Sequence, residues 1–251
     1  MFDTLSWSNP WATALIVNTV LLSVAWVLPK KLLTPFGYLN ALILGVIVWG
    51  TLGWRGYLIV MLFFLLGSAL TFVGMEQKEA EGIAESRSGI RGAGNVWGSA
   101  LAATICAIAT LFSPAPYKYL FVLGYVASFC TKLSDTTASE VGKAYGKTTY
   151  LITSLKPVPR GTEGAVSLEG TVAGALASLL LAIIAWIIGL ISPMGIIWCV
   201  IAAFIATTIE SLIGATLESR LTWLTNDLVN FINTIIGAIV AISLSFLISI
   251  V

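Results

Sequence analysis

The chain of 251 residues is 58% hydrophobic and 10% charged, with a mean hydropathy of +0.96. A soluble domain carries about a quarter charged residues, so this composition excludes one and indicates an integral membrane protein. The net charge of +1 excludes a broad basic surface for nucleic acid, and the absence of histidine leaves any catalysis to carboxylates, Lys, Arg and a metal ion.

Eight largely uncharged apolar runs are each long enough to cross a membrane. A hydrocarbon core about 30 Å thick requires on the order of 20 apolar residues per helical crossing. The runs are continuous rather than alternating and are too long for barrel strands, which favours helices over the strands of a membrane barrel. The predicted spans are 11–28, 36–53, 56–74, 96–112, 117–133, 171–191, 195–213 and 229–251. The sequence therefore predicts an all-α polytopic bundle of about eight transmembrane helices, forming a single domain over 1–251.

The charged residues are predicted to gather on one face of the membrane. Eight crossings place four loops on the same face, at 29–35, 75–95, 134–165 and 214–228. These loops and the adjoining span ends carry eleven of the thirteen Lys and Arg residues, and only Arg55 and Lys118 lie opposite. The positive-inside rule makes this face cytoplasmic and puts both termini on the other side. All acidic residues except Asp3 also lie at or near it, so we expect the last three loops to be functional.

The loop before the fourth span is rich in arginine and glycine. Arg87 and Arg91 precede Gly92 and Gly94, and Asn95 stands where the apolar span begins. Glycines let backbone N–H groups approach an anion at a helix N-terminus, and arginines can clamp its oxygens. The segment is a candidate phosphate site, and the alternative is a mixed-charge loop with glycine turns.

The fifth span continues into a stretch of carboxylates and hydroxyls. If the helix continues, Asp135 and Ser139 lie one turn apart, and Thr136 and Glu140 form the neighbouring pair. Clusters that contain only oxygen ligands suit Mg²⁺, which takes one or two carboxylates and completes its shell with water and phosphate oxygens. The alternative is a solvated helix end capped by Ser134 or Asp135.

Further polar residues are predicted at the membrane ends of the last three spans. The prolines and glycines of 157–164 exclude a regular helix before about Ala165, so Glu169 lies just inside the sixth span. Glu210 is embedded in the seventh span, and Asn230 lies one turn inside the eighth. An ionisable side chain at membrane depth is costly and indicates function, whereas the alternative for Glu169 is a side chain that reaches the interface.

Five motifs follow one another along the chain. They are 91–96 (RGAGNV), 134–140 (SDTTASE), 161–167 (GTEGAVS), 210–215 (ESLIGA) and 226–230 (NDLVN). Their order resembles the phytyl-phosphate kinase family, which includes the transmembrane protein 19 proteins, and the resemblance covers roughly residues 30–251. The family looks related to polyprenol kinases and CDP-archaeol-type cytidylyltransferases.

The resemblance implies transfer of a phosphoryl group from a nucleoside triphosphate, with CTP expected, to phytyl phosphate or a similar prenyl monophosphate. The product would be the diphosphate used for tocopherol and phylloquinone synthesis. A phosphate monoester has a second pKa of about 6 and is already an anion at neutral pH, so a histidine-free site suffices. The remaining requirement is to bring two anionic phosphates together, which calls for Mg²⁺ and cationic side chains.

The resemblance and the chemistry of these side chains together imply roles for individual residues. The expected Mg²⁺ ligands are Asp135, Glu140 and Glu210, with Glu169 as a fourth candidate, and Lys132 joins the first three in the catalytic set. The expected phosphate and nucleotide contacts are Arg87, Arg91, Gly92, Gly94, Asn95, Ser139, Lys143 and Asn230. The partners are a prenyl phosphate lipid, a nucleotide and the bilayer, without nucleic acid. We expect a prokaryotic plasma membrane or a thylakoid membrane, with the site on the cytoplasmic face.

Three alternative functions stay open at this point. A prenol kinase or a CDP-lipid cytidylyltransferase would use the same ligands, and Asp135 could accept the proton of an alcohol acceptor. A membrane transporter would also place charges within helices, but the charges here lie near one face and no internal repeat is visible. A scaffold without chemistry would tolerate Glu210→Gln.

Overall fold

In the computed structural model, which describes residues 9–218 and 220–250, the chain forms a bundle of long helices. The α-helices are α1 Pro10–Val27, α2 Pro35–Thr71, α3 Met75–Ala80, α4 Ala93–Phe112, α5 Ala115–Tyr145, α6 Leu168–Ile187, α7 Pro193–Ile213 and α8 Asn226–Ile250. A 3₁₀ turn forms at Ser86–Gly89, and a π-helical turn at Gly214–Glu218 extends α7. Within the described residues, six helices are long and apolar enough to cross a membrane, namely α1, α2, α4, α6, α7 with its extension, and α8.

The long helix α2 folds back on itself at Gly53. This residue has φ 67° and ψ −164°, a backbone conformation that glycine adopts without a steric penalty. A straight helix of 37 residues would hold its ends about 55 Å apart. Instead, the ammonium of Lys30, before α2, lies 3.3 Å from the ring centroid of Phe72, after α2. The two halves of α2 therefore supply two crossings, in agreement with the predicted spans 36–53 and 56–74.

The central helix is α5, which packs against α2, α4, α6, α7 and α8. Its Tyr125 hydroxyl donates a 2.7 Å hydrogen bond to the Gly56 carbonyl at the fold of α2. A Cβ atom on Gly170 of α6 would lie 2.4 Å from the carbonyl oxygen of Ala138, so the two backbones touch. Because it is enclosed by other helices, α5 can carry polar residues, and it continues about three turns beyond the predicted span 117–133.

The connection from α5 to α6 is a small antiparallel sheet that the sequence analysis did not predict. The strand β1 (Thr149–Leu151) lies between β2 (Pro157–Val158) and β3 (Ala165–Ser167). Since β3 runs directly into α6, Glu169 is the second residue of that helix and lies at its N-terminal end rather than inside the span. The strands are too short to stand out as alternating patterns, which explains why they were missed.

The loops after the first, third, fifth and seventh crossings meet at one end of the bundle, as expected for eight crossings. Asn95 at the start of α4 donates a 3.0 Å hydrogen bond to Asp227 at the start of α8. Arg160, in the connection between β2 and β3, forms a 2.6 Å ion pair with Glu81. We call this the loop end of the bundle. The start of α1 lies at the opposite end, where the Trp11 ring contacts Gly50 close to the fold of α2.

Candidate functional site

Among the described residues, two polar cavities adjoin at the loop end. The sheet cavity, about 340 Å³, lies between α5, α6, α7 and the three strands. The arginine cavity, about 220 Å³, lies between α5, α8 and the segment that contains Arg91. The residues that line both cavities are Asp135, Ser139, Lys143, Glu163 and Glu210. The two cavities thus share a charged wall.

Asp135 and Glu210 form the centre of that shared wall. Asp135 lies on α5 and Glu210 lies on α7, and their carboxyl groups are within interaction range of each other. The ammonium of Lys132 donates 2.6 Å hydrogen bonds to Asp135 and to the Asn230 side chain of α8. Two carboxylates that face one ammonium leave a net negative charge, which a divalent cation would neutralise.

The helix geometry explains how these groups come together. Lys132 and Asp135 are three residues apart on α5, so they share one helix face, and both are 7% exposed. Asn230 lies one turn inside α8, and its amide also donates to Asn226 at 3.3 Å. With Glu210 of α7, three helices therefore contribute polar groups to the same region, two of them from α5, and partial burial strengthens the interactions among them.

Glu140, a predicted metal ligand, is paired with a lysine instead. Lys78 on α3 is fully buried, and its ammonium donates to the Glu140 carboxylate and, at 2.8 Å, to the Thr71 carbonyl. A buried ammonium without such partners would be strongly destabilising. The pair fixes α3 on α5 and leaves Glu140 on the edge of the arginine cavity.

The four predicted acidic ligands are not assembled around one point. In the described ranges, no three Asp, Glu, His or Cys side chains are grouped closely enough to hold one ion. Glu169 lies outside both cavities and accepts a 3.4 Å hydrogen bond from the Lys147 backbone. Asp135 and Glu210 remain, and two carboxylates that line open cavities fit Mg²⁺, which retains water and takes phosphate oxygens for its other positions.

The glycine-rich start of α4 is organised by a carboxylate of the protein itself. A Cβ atom on Gly94 would lie 2.0 Å from a carboxylate oxygen of Asp227. Asn95 donates to that carboxylate and accepts from the Gly92 N–H at 3.0 Å and from Arg87 at 2.6 Å. The positive end of the α4 dipole therefore faces Asp227, and Arg87, Gly92 and Gly94 line neither polar cavity.

Unlike Arg87, Gly92 and Gly94, Arg91 lines the arginine cavity. Its guanidinium carbon lies 5.5 Å from the Phe63 ring centroid and 5.9 Å from that of Phe64. Burial lowers the pKa of Arg91, an effect that nearby carboxylates oppose, and the group stays cationic at neutral pH. In the described part of the chain no carboxylate forms an ion pair with it. A largely buried cation of this kind is suited to an anionic ligand.

The structure adds residues to which the sequence analysis gave no role. Glu163 and Glu218 line the arginine cavity, and Thr207 and Ser211 line the sheet cavity. Glu210, Gly214 and Glu218 recur every four residues, so the sequence predicts that Glu218 shares a helix face with Glu210, although it assigns Glu218 no role. The sequence carries no comparable signal for Lys78 or Asp227, whose partners lie far away along the chain.

Comparison with known proteins places the chain among integral membrane proteins. The profile of the integral membrane protein family DUF92 matches residues 18–238. An uncharacterized membrane protein of Synechocystis is 62% identical over 235 residues, which cover 94% of this chain and 91% of that protein. Protein VTE6, chloroplastic, of Arabidopsis thaliana is 47% identical over 239 residues, or 94% and 72% of the two chains. An uncharacterized membrane protein of Methanocaldococcus jannaschii is 31% identical over 231 residues, or 91% and 93%. No solved structure matches the chain.

Proposed function

The chain belongs to the integral membrane protein family DUF92, and from this premise we propose that it is a prenyl-phosphate kinase. It transfers a phosphoryl group from a nucleoside triphosphate, with CTP as the expected donor, to phytyl phosphate or a similar prenyl monophosphate. The resemblance of five motifs to phytyl-phosphate kinases supports this function. The 47% identity to the chloroplastic protein VTE6 supports a related role in the tocopherol pathway.

The observation that carries the proposal is the carboxylate wall shared by two cavities. Kinase chemistry brings two anionic phosphate groups together, and each substrate needs its own binding space. The sheet cavity and the arginine cavity provide two such spaces, with Asp135 and Glu210 between them. A protein that only binds one ligand would not require two adjoining cavities.

The reaction needs no general base in this site. A phosphate oxygen of the prenyl monophosphate attacks the γ-phosphorus of the nucleotide, and the bond from that phosphorus to the β,γ-bridging oxygen breaks. The nucleoside diphosphate leaves with the electron pair, and the lipid gains a phosphoryl group. Since the attacking phosphate is already ionised, the contribution of the protein is positioning and electrostatic stabilisation.

Different residues of the site provide the positioning and the electrostatic stabilisation. Arg91 holds the acceptor phosphate in the arginine cavity, and the nucleotide occupies the sheet cavity. Lys143 lines both cavities and stabilises the phosphoryl group in transfer. Lys132 holds Asp135 in place through its 2.6 Å hydrogen bond. Asp135 and Glu210 would bind Mg²⁺, which neutralises phosphate charge when it is bound.

The test uses purified protein with Mg²⁺ and CTP labelled at either the α- or the γ-phosphate, offered phytyl phosphate or phytol. The proposal requires γ-label, and no α-label, in phytyl diphosphate. Label from the α-phosphate in the lipid product would establish a cytidylyltransferase instead, and turnover of phytol alone would establish an alcohol kinase. Uptake of prenyl phosphate into sealed vesicles without nucleotide, in the absence of turnover, would establish a transporter.

A further inference from the structure

A third cavity, of about 200 Å³, lies between α1, α2 and α4 and adjoins the arginine cavity. We propose that this apolar cavity binds the isoprenoid tail of the lipid substrate while Arg91 holds its phosphate. The inference rests on the proposed function, because it assigns a place to the hydrocarbon part of that substrate. We call this space the tail cavity.

The lining of the tail cavity suits a hydrocarbon chain. Most of its residues are aliphatic or aromatic, among them Leu22, Tyr38, Leu44, Val60, Phe63 and Ala100. The amide of Asn18, one of its few polar residues, is engaged with the Ala14 carbonyl at 2.8 Å. A prenyl chain in this space would exchange lipid contacts for close packing against these side chains.

Arg91 and Asn95 connect the tail cavity to the arginine cavity, because both residues line both spaces. On one side of Arg91 stand Asp135, Glu210 and Lys132, and on the other side stand the rings of Phe63 and Phe64. The lining therefore changes from charged to apolar across one guanidinium group. A ligand that spans this junction carries a charged head on an apolar chain, and Arg91, which has no carboxylate ion pair among the described residues, suits an anionic head.

The tail cavity also opens toward the lipid-facing surface. Leu21, Leu28 and Leu65 line it and are 42%, 50% and 49% exposed, respectively. The neighbouring α1 packs mainly against α2, with Asn18 placed against Gly45, where a Cβ atom would lie 1.9 Å from the amide oxygen. A lipid phosphate can thus enter from the bilayer without moving its tail through water.

The positions along α2 give the depth of the tail cavity. Gly37 packs against the Arg91 carbonyl, where its Cβ would be 2.6 Å away. Gly45 is eight residues further on, a rise of about 12 Å. Ala41 lies halfway between them and lines the cavity. A large side chain at Ala41 would block the tail beyond its first carbons while leaving Arg91 unchanged.

The first test compares the acceptor preference of Ala41→Trp with that of Ala69→Trp, a matched change on the exposed surface of α2 outside the three cavities. The acceptors are dimethylallyl, geranyl, farnesyl and phytyl monophosphates. We expect Ala41→Trp to lower kcat/KM for phytyl phosphate at least about tenfold relative to dimethylallyl phosphate, because the loss of about two methylene contacts already corresponds to a factor of ten. Ala69→Trp should keep the wild-type preference. An equal effect on all four acceptors, or none, would overturn the assignment.

The second test measures binding without turnover, so its failure is distinguishable from failure of the kinase proposal. A prenyl monophosphate with a diazirine on its chain is photolysed with the wild-type protein, and the adducts are mapped. We expect adducts on α1, α2 and α4 that unlabelled phytyl phosphate suppresses. Adducts confined to other helices would overturn the assignment of the lipid tail to the tail cavity, even if the protein proves to be a kinase. If wild type shows no kinase activity but gives these adducts, the kinase proposal fails and the lipid-phosphate site stands.

Discussion

Asp135 and Glu210 lie in the same wall between two polar cavities, although 75 residues of sequence separate them. Two carboxyl groups held this close repel each other when both are ionised, and they persist in a folded protein when cations compensate them. Lys132 compensates part of this charge through its contact with Asp135. The arrangement explains why we place the metal and the transferred phosphoryl group at this point.

Replacement of either carboxylate should therefore stop catalysis without unfolding the protein. We expect Asp135→Asn and Glu210→Gln each to lower kcat by about 100-fold or more, as expected when a group that stabilises transition-state charge is lost. Initial rates with saturating CTP and phytyl phosphate would measure the effect. Glu169→Gln is the matched control, because Glu169 lies outside both polar cavities and should retain activity. Full activity of the Glu210→Gln variant would exclude a catalytic role for Glu210.

The buried pair of Lys78 and Glu140 is predicted to stabilise the loop end. In Lys78→Met the Glu140 carboxylate loses its partner, and we expect a loss of about 3–5 kcal/mol in stability. Thermal unfolding in detergent would measure the change. The double variant Lys78→Met, Glu140→Gln should recover much of the loss, because no unpaired charge remains. A single variant as stable as wild type would show that the pair contributes little.

The position of Arg91 depends on the absence of a side chain at Gly67. A Cβ atom there would lie 2.9 Å from a guanidinium nitrogen of Arg91, so Gly67→Val should displace the group. We expect the KM for prenyl phosphate to rise about tenfold while the KM for CTP changes little, because misplacement of a binding group weakens one substrate selectively. The neighbouring exposed change Ala69→Val is the control. A parallel rise in both KM values would argue against an acceptor role for Arg91.

The membrane architecture could be predicted because each crossing is encoded by an apolar run of neighbouring residues. The apolar runs identified the crossings, and the fold of α2 at Gly53 coincides with the end of the second run. The helical spacing of Asp135 and Ser139 likewise placed these two residues one turn apart on α5. These features depend on residues that are close in sequence.

The partners of the site residues could not be predicted, because they lie far away along the chain. Glu140 suits a metal by its type and spacing, yet Lys78 reaches it from 62 residues away. The glycines near the start of α4 favour an anion site, yet Asp227 approaches that helix start from the beginning of α8, 132 residues beyond Asn95. In both cases a long-range contact satisfies a group whose local pattern indicates a ligand.

The most direct test of the proposed chemistry is the formation of labelled phytyl diphosphate from γ-labelled CTP and phytyl phosphate, measured with Mg²⁺ and again after chelation with EDTA. We predict product with wild type in Mg²⁺, none in EDTA, recovery when Mg²⁺ is restored, and none with Glu210→Gln. Equal turnover in EDTA would contradict the metal assignment, and the absence of product with wild type under all conditions would contradict the kinase function.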